Sequence, residues 1–193
     1  MHCPPSARLA ERYPQTTSSY AEEGTRAHEI AEQCLRAFKD GTSEPVYEGD
    51  DLRIRGELQP YIDWIVETYN EYKDKSTDTI MLLETRVDFS DVVPDGFGTG
   101  DVIIISDATL HIIDLKFGKG VPVDANLNPQ LMLYALGALN LFGDLYDINL
   151  VRMTINQPRL DHISTSFASA AEIRHWGDHK VAPVAQQAYE GKG

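Results

Sequence analysis

The sequence predicts an α/β (α+β) fold, a central mixed β-sheet flanked by helices, and three observations predict it. Segments with apolar residues at helical spacing bracket segments dense in Ile, Val and Leu. Their order is two helices, three strands, a helix, one or two strands and a helix, which places helices against a sheet that cannot be purely hairpin-built. The chain has 193 residues and 42% apolar content, enough for one domain with a substantial core. Residues 1–193 are read as that single domain, with a C-terminal truncation left open.

The elements follow in order. Gly24 to Asp40 reads as a helix capped by Thr25, with Ala27, Ile30, Ala31, Cys34, Leu35 and Phe38 on one stripe. Gly41 to Asp51 reads as a loop. A second helix is predicted over Glu57 to Lys73, with Leu58, Ile62, Ile65 and Tyr69 as its stripe. Thr79 to Phe89, Asp101 to Ser106 and Thr109 to Phe117 read as strands separated by Asp and Gly turns. Asn128 and Pro129 open a helix as cap and first-turn residue, and Gly143 ends it. Ile148 to Gln157 is another strand, to which Ile163 to Phe167 can pair. Ser169 to Tyr189 reads as helical, with a kink at Pro183.

Composition excludes several classes. Seventeen basic against thirty acidic residues leave a net charge of −13. Such a surface repels nucleic acid and anionic lipid overall, so a grip on DNA needs a local patch. Arg8, Arg12, Arg26, Arg36 and Lys39, with Lys116 and Lys119, are the candidates for one. No stretch reaches 18 apolar residues, so no membrane span is expected, and MHCPPSARLAERYP lacks an apolar signal core. Cys3 and Cys34 are too few for a disulfide framework. A reducing cytoplasm is the expected location. His175 and His179 have metal-pair spacing but lack an accompanying motif, and read as a solvated pair.

The most informative stretch is Gly98 to Gly120. If Asp107 and Ala108 form a two-residue turn, Ser106 pairs with Thr109 and Asp101 lies opposite Asp114. Directly opposed side chains sit about 4.5–5.5 Å apart at Cβ. Lys116 follows two residues on, on the same face. Two carboxylates facing each other among buried isoleucines repel, unless one keeps a proton or a cation lies between them. Hard oxygen ligands suit Mg²⁺ or Mn²⁺. A neighbouring lysine can hold a water or stabilise charge on a phosphoryl oxygen. Those parts describe metal-assisted phosphodiester hydrolysis; the plainer alternative is a surface hairpin with Lys116 paired to Asp114. The preceding GFGTG, Gly96 to Gly100, opens a strand where a phosphate loop would open a helix, and reads as a flexible lead into Asp101.

Asp101, thirteen residues, then Asp114-Leu115-Lys116 resembles the core of the PD-(D/E)XK nuclease superfamily, and so a restriction-endonuclease-like core. Gln130 and Tyr134, at i and i+4 of one helix, resemble the Q-x-x-x-Y motif of its RecB-like branch. His28 resembles that branch's N-terminal helix histidine, and Glu84 its first-strand acid. The resemblance spans Cys3 to Gln157, and GTGDVIII, DLKFGKG and NPQLMLYALGAL look most like a RecB-like family found in phages and prophages. It implies that Asp101 and Asp114 bind metal with His28 and the Leu115 backbone carbonyl, and that Lys116 serves the attacking water. It also implies that Glu84 adds a ligand or orients a water, and that Gln130 and Tyr134 support the site or brace DNA. Alternatives stay open for each outlying residue. His28 could be a partly buried structural histidine, Glu84 an edge-strand acid facing solvent, and Gln130 and Tyr134 a helix start and a core aromatic. Lys119 could touch a phosphate or be a loop lysine.

The function this implies is a divalent-metal-dependent DNA nuclease, an exonuclease of phage-type recombination, repair or processing, with recombination or replication proteins as further partners. The rival is a DNA-end-binding or partner-docking module with the same fold and no turnover. Some RecB-like nucleases carry an iron–sulfur cluster with one cysteine where Cys3 stands; four thiolates cannot come from two cysteines, so none is expected. No oligomeric interface is legible.

Overall fold

In the computed structural model, which describes residues 19–191, helices α1 (Ser19–Asp40) and α2 (Gly49–Lys75) precede a three-stranded meander. Its strands are β1 (Ile80–Asp88), β2 (Phe97–Ser106) and β3 (Thr109–Leu115). Helix α3 (Pro129–Tyr146) then crosses to β4 (Leu150–Gln157), and β5 (His162–Ser169) returns after a single 3₁₀ turn. Helices α4 (Ala170–Trp176) and α5 (Ala182–Glu190), joined by a π turn, end the described chain. The sheet runs β1-β2-β3-β4-β5. β3 and β4 are parallel and the other pairs antiparallel. The parallel pair is the one joined by a helix, because parallel neighbours need a crossover. The expected mixed sheet flanked by helices is therefore what the chain builds.

Strand alternation feeds two cores. Met81, Leu83, Val102, Ile104 and Ile113 pack against Ile30, Leu35, Leu58 and Ile65 of α1 and α2. Ile103, Ile105, Leu110, Ile112 and Met153 pack against Leu131, Ala135, Leu139 and Ile173 of α3 and α4. Each such buried Val, Leu, Ile or Met side chain stabilises by about 1.5–3 kcal/mol, and strands covered on both faces read as near-continuous apolar runs. Among the described residues no helix is long and apolar enough to cross a membrane.

The hairpin register follows the predicted turn. Ser106 pairs with Thr109 and Val102 with Ile113, and Asp107 and Ala108 both take positive φ, 44° and 61°, the conformation a tight two-residue connection requires. Helix ends depart from expectation. α1 begins at Ser19, so Thr25 lies inside it and its hydroxyl donates to the Ala21 carbonyl instead of capping. α2 begins eight residues early, at Gly49, with Asp50 and Asp51 in its first turn, where acids favour the positive helix end. α3 is capped by Asn128 as expected but runs past Gly143 to Asp147, which takes the left-handed conformation. Gly143 instead makes room for the Arg174 guanidinium. Ser169 and Glu172 form a capping box for α4, and Pro183 stands in the first turn of α5. The GFGTG lead is no flexible loop: Phe97 to Gly100 pair with Asp88 to Thr85. Gly98 is glycine because the Tyr134 ring lies against it, 2.4 Å from where a Cβ would stand.

Candidate functional site

The site forms where regular pairing fails. β2 and β3 pair down to Val102–Ile113 and no further. The next residues, Asp101 and Asp114, stand at the mouth of the split. On the other side of β2, Leu83–Val102 and Thr85–Gly100 pair, while Glu84, opposite Asp101 by count, drops out of the ladder. Glu84 has φ 44°, an uncommon conformation for a side chain other than glycine. Its consequence is a change of sides. Leu83 belongs to the α1/α2 core and Val87 to the α3 core, two odd positions that regular alternation would keep on one face. Asp101 shifts likewise. Ile103 and Ile105 face α3, yet the Asp101 carboxylate meets His28 of α1, Oδ1 to Nδ1 at 3.2 Å.

This corrects the expected face-to-face pair. Asp101 leans toward α1, whereas Asp114, in step with Ile112, leans toward α3. The two still share the split, since Asp101 Oδ2 accepts a 2.7 Å hydrogen bond from the Leu115 amide. A carboxylate thus takes the place of a ladder carbonyl. Leu115, whose backbone carbonyl was expected as a metal ligand, lines the same small cavity as Asp101.

Two clusters meet there. The first holds His28, Glu84 and Asp101, whose ligand atoms all lie within 4.8 Å of one another, with His28 Nδ1 4.0 Å from Glu84 Oε1. The second surrounds Asp114, which is 2% exposed. Lys116 Nζ lies 2.9 Å from its Oδ2 and donates to its Oδ1 at 3.2 Å. Gln130 Nε2 donates to the same Oδ1 at 3.0 Å and to the Tyr134 hydroxyl at 3.0 Å, while Gln130 Oε1 accepts from Lys116 at 2.9 Å. Gln130 is a hub locking acid, ammonium and phenol together, and its i, i+4 spacing from Tyr134 puts the two on one helix face. Asp114 Oδ2, though beside the ammonium, is buried without a directed hydrogen bond.

Electrostatics mark the same place. Burial first, then the Asp101 charge, raise the Glu84 carboxyl to about 7, with His28 opposing. Burial and Asp101 likewise raise Asp114 against the pull of Lys116. Burial alone would lower His28, but the Asp101 hydrogen bond and the charges of Asp101, Glu84 and Asp114 raise it overall. These carboxylates are short of positive charge, the condition a cation relieves. One imidazole and two carboxylates form a set that can hold a divalent cation, so the residues present fit such an ion.

The other expected residues lie elsewhere. Lys119 is exposed and lines a cleft of about 290 Å³ with Tyr20, Glu23, Arg53, Phe117 and Arg159, beside the carboxylates and not among them. The expected basic groove is largely spent: Arg26 is bound to Asp51 and Glu29, and Arg36 to Glu32. Arg8, Arg12 and Cys3 lie outside the described residues. His175 and His179 stack on the surface with ring centroids 4.1 Å apart. Tyr61 was missed by sequence reasoning, yet it lines the small cavity between His28, Glu84, Asp101 and Leu115. The available signal was a tyrosine on the buried stripe of α2, three residues after Leu58 and four before Ile65, whose hydroxyl needs a partner.

The model of a family described as "Protein of unknown function (DUF2800)" matches residues 1–193. A solved structure titled "Crystal structure of SSO0001" is similar at 12% identity, over 98% of this chain and 85% of that one, with a TM-score of 0.26. A likeness that slight carries neither fold nor function across.

Proposed function

The chain belongs to the DUF2800 family, and we propose that it is a divalent-metal-dependent DNA nuclease of the RecB-like PD-(D/E)XK type, acting as an exonuclease. The observation that carries this is the convergence of His28, Glu84 and Asp101 within 4.8 Å, next to an ammonium lodged between Asp114 and Gln130. His28, Glu84 and Asp101 would hold Mg²⁺ or Mn²⁺, and Asp114, the residue opposite Asp101 by count, would add a further donor. When bound, the ion supplies the positive charge that polarises a phosphoryl oxygen and acidifies a water.

The rest falls to the chain's own side chains. Lys116 sits where it can orient the attacking water or stabilise charge on a phosphoryl oxygen. Gln130 fixes the direction of that ammonium, and Tyr134 fixes Gln130. Glu84, set across Asp101 from Asp114, adds a ligand or orients a water. DNA as substrate, and a role in phage-type recombination, repair or processing, rest on the sequence resemblance.

The test is incubation of end-labelled linear and closed circular DNA with Mg²⁺, Mn²⁺ or chelator. Loss of linear DNA alone, only with metal, is the expected result. Asp114→Ala and Lys116→Ala should abolish it in protein that still folds and unfolds cooperatively. Unchanged cleavage in both variants defeats the assignment. Tight Mn²⁺ binding with no cleavage of any DNA form supports the non-catalytic binding module instead, and discrete fragments support a site-specific endonuclease.

A further inference from the structure

Tyr61 is 1% exposed and sits on the face of α2 that packs on the sheet. A buried phenol normally hydrogen-bonds, because its hydroxyl has given up water. Among the described residues the Tyr61 hydroxyl makes no hydrogen bond, and it is not among the side-chain atoms sealed away without a partner. It opens instead on the cavity that His28, Glu84, Asp101 and Leu115 also line, a space of about 10 Å³. That is room for one water-sized occupant. Burial, and then the charges of Asp101, Asp114 and Glu84, hold the phenol protonated, so it faces acceptors as a donor. A phenylalanine would fill the same apolar space without the orphaned hydroxyl; packing explains the ring and not the oxygen.

The geometry points to Tyr61 as a positioning residue of the cation site: its hydroxyl holds the one water that this cavity admits, and that water accompanies a divalent cation held by His28, Glu84 and Asp101 at the cavity's edge. This rests on the metal-site reading above and adds to it a donor from α2, which the motif residues do not include. Groups just outside a metal's ligands orient what the metal carries, and their loss typically weakens binding about 10–100-fold.

The experiment compares wild type, Tyr61→Phe and Asp101→Asn by calorimetric titration with Mn²⁺, alongside thermal unfolding in chelator. Tyr61→Phe should melt in chelator at or above the wild-type temperature, since it removes only an unpartnered hydroxyl. Its Mn²⁺ dissociation constant should rise about tenfold, against near-complete loss of binding in Asp101→Asn. A Tyr61→Phe affinity equal to wild type overturns the inference while leaving the metal site standing. Absence of Mn²⁺ binding by the wild type overturns the metal site itself, and the role of Tyr61 with it.

Discussion

His28 and His111 lie on the same side of one sheet and could hardly differ more. His111, on β3, is fully buried, and both ring nitrogens meet hydroxyls. Tyr72 stands 3.4 Å from Nδ1, and Thr154 Oγ1 2.9 Å from Nε2. Thr154 in turn meets Thr165 at 2.9 Å, and the rings of Trp64 and Tyr72 press edge-on against the imidazole. Burial and the nearby Arg152 charge hold His111 neutral, well below its ordinary titration range. His28 is partly exposed, faces three carboxylates and is shifted up. The contrast separates a polar group satisfied within the fold from a cluster the fold leaves incomplete. Neutral hydroxyls complete their hydrogen bonds with one another, whereas crowded carboxylates need charge from outside.

Exchanging the two histidines' fates gives the largest effect. His111→Ala opens a cavity and strands the hydroxyls of Tyr72 and Thr154, and is expected to lower the free energy of unfolding by about 2–4 kcal/mol. His28→Ala should move it by less than about 0.5 kcal/mol while removing Mn²⁺ binding. Urea unfolding in chelator and Mn²⁺ titration of both variants check this. Equal stabilities for the two would erase the distinction between structural and functional histidine.

A pH series sharpens the comparison further. The Glu84 carboxyl titrates near 7 in the folded protein against an ordinary 4.5, so its contribution favours folding below about 4.5 and is lost as pH rises toward 7. The raised His28 acts in the same direction. His111 acts oppositely: its depressed value favours folding above 6.5 and that advantage is lost as pH falls. In chelator, Glu84→Gln should therefore lose stability more steeply than wild type as pH drops from about 6.5 to 5. Parallel unfolding curves across that window would show that Glu84 is not held up by its surroundings.

The smallest effect concerns how the incomplete cluster is braced. Gly98→Ala places a methyl group 2.4 Å from Tyr134 Cε1. The ring must shift and loosen its hold on Gln130, at a cost of about 1–2 kcal/mol. DNA cleavage should fall several-fold with Mn²⁺ affinity retained, measured side by side; an unchanged rate would detach Tyr134 from the site.

Much of this was legible from residue order. The Asp107–Ala108 turn sets the register of β2 on β3, Asn128 and Pro129 start α3, and the i, i+4 spacing puts Gln130 and Tyr134 on one face. Asp114, Lys116, Gln130, Tyr134, His28, Glu84 and Asp101 all gather where the motif order placed them. Less legible was the way they gather. Simple alternation put Asp101 and Asp114 on one face, and only the positive φ of Glu84 with the split after Val102 turns Asp101 toward α1. Arg26 and Arg36 proved to be paired: Arg36 with Glu32 one turn away, a spacing legible in the sequence, and Arg26 also with Asp51 of α2, a partner that depends on how α1 crosses α2.

Local spacing determined by itself the sheet's apolar strands, its tight turn and its helix cap, whereas His28, Glu84, Gln130 and Tyr134 were singled out by resemblance. Strands, turn and cap depend on neighbours within a few positions, where backbone geometry leaves few choices. The tertiary structure alone decided which acids share a cavity, that His111 is satisfied by hydroxyls, and that Tyr61 of α2 opens on the carboxylates. Those outcomes depend on contacts between segments far apart in the chain. There the packing of helices on the sheet, and not the period of any one strand, sets where each polar group ends.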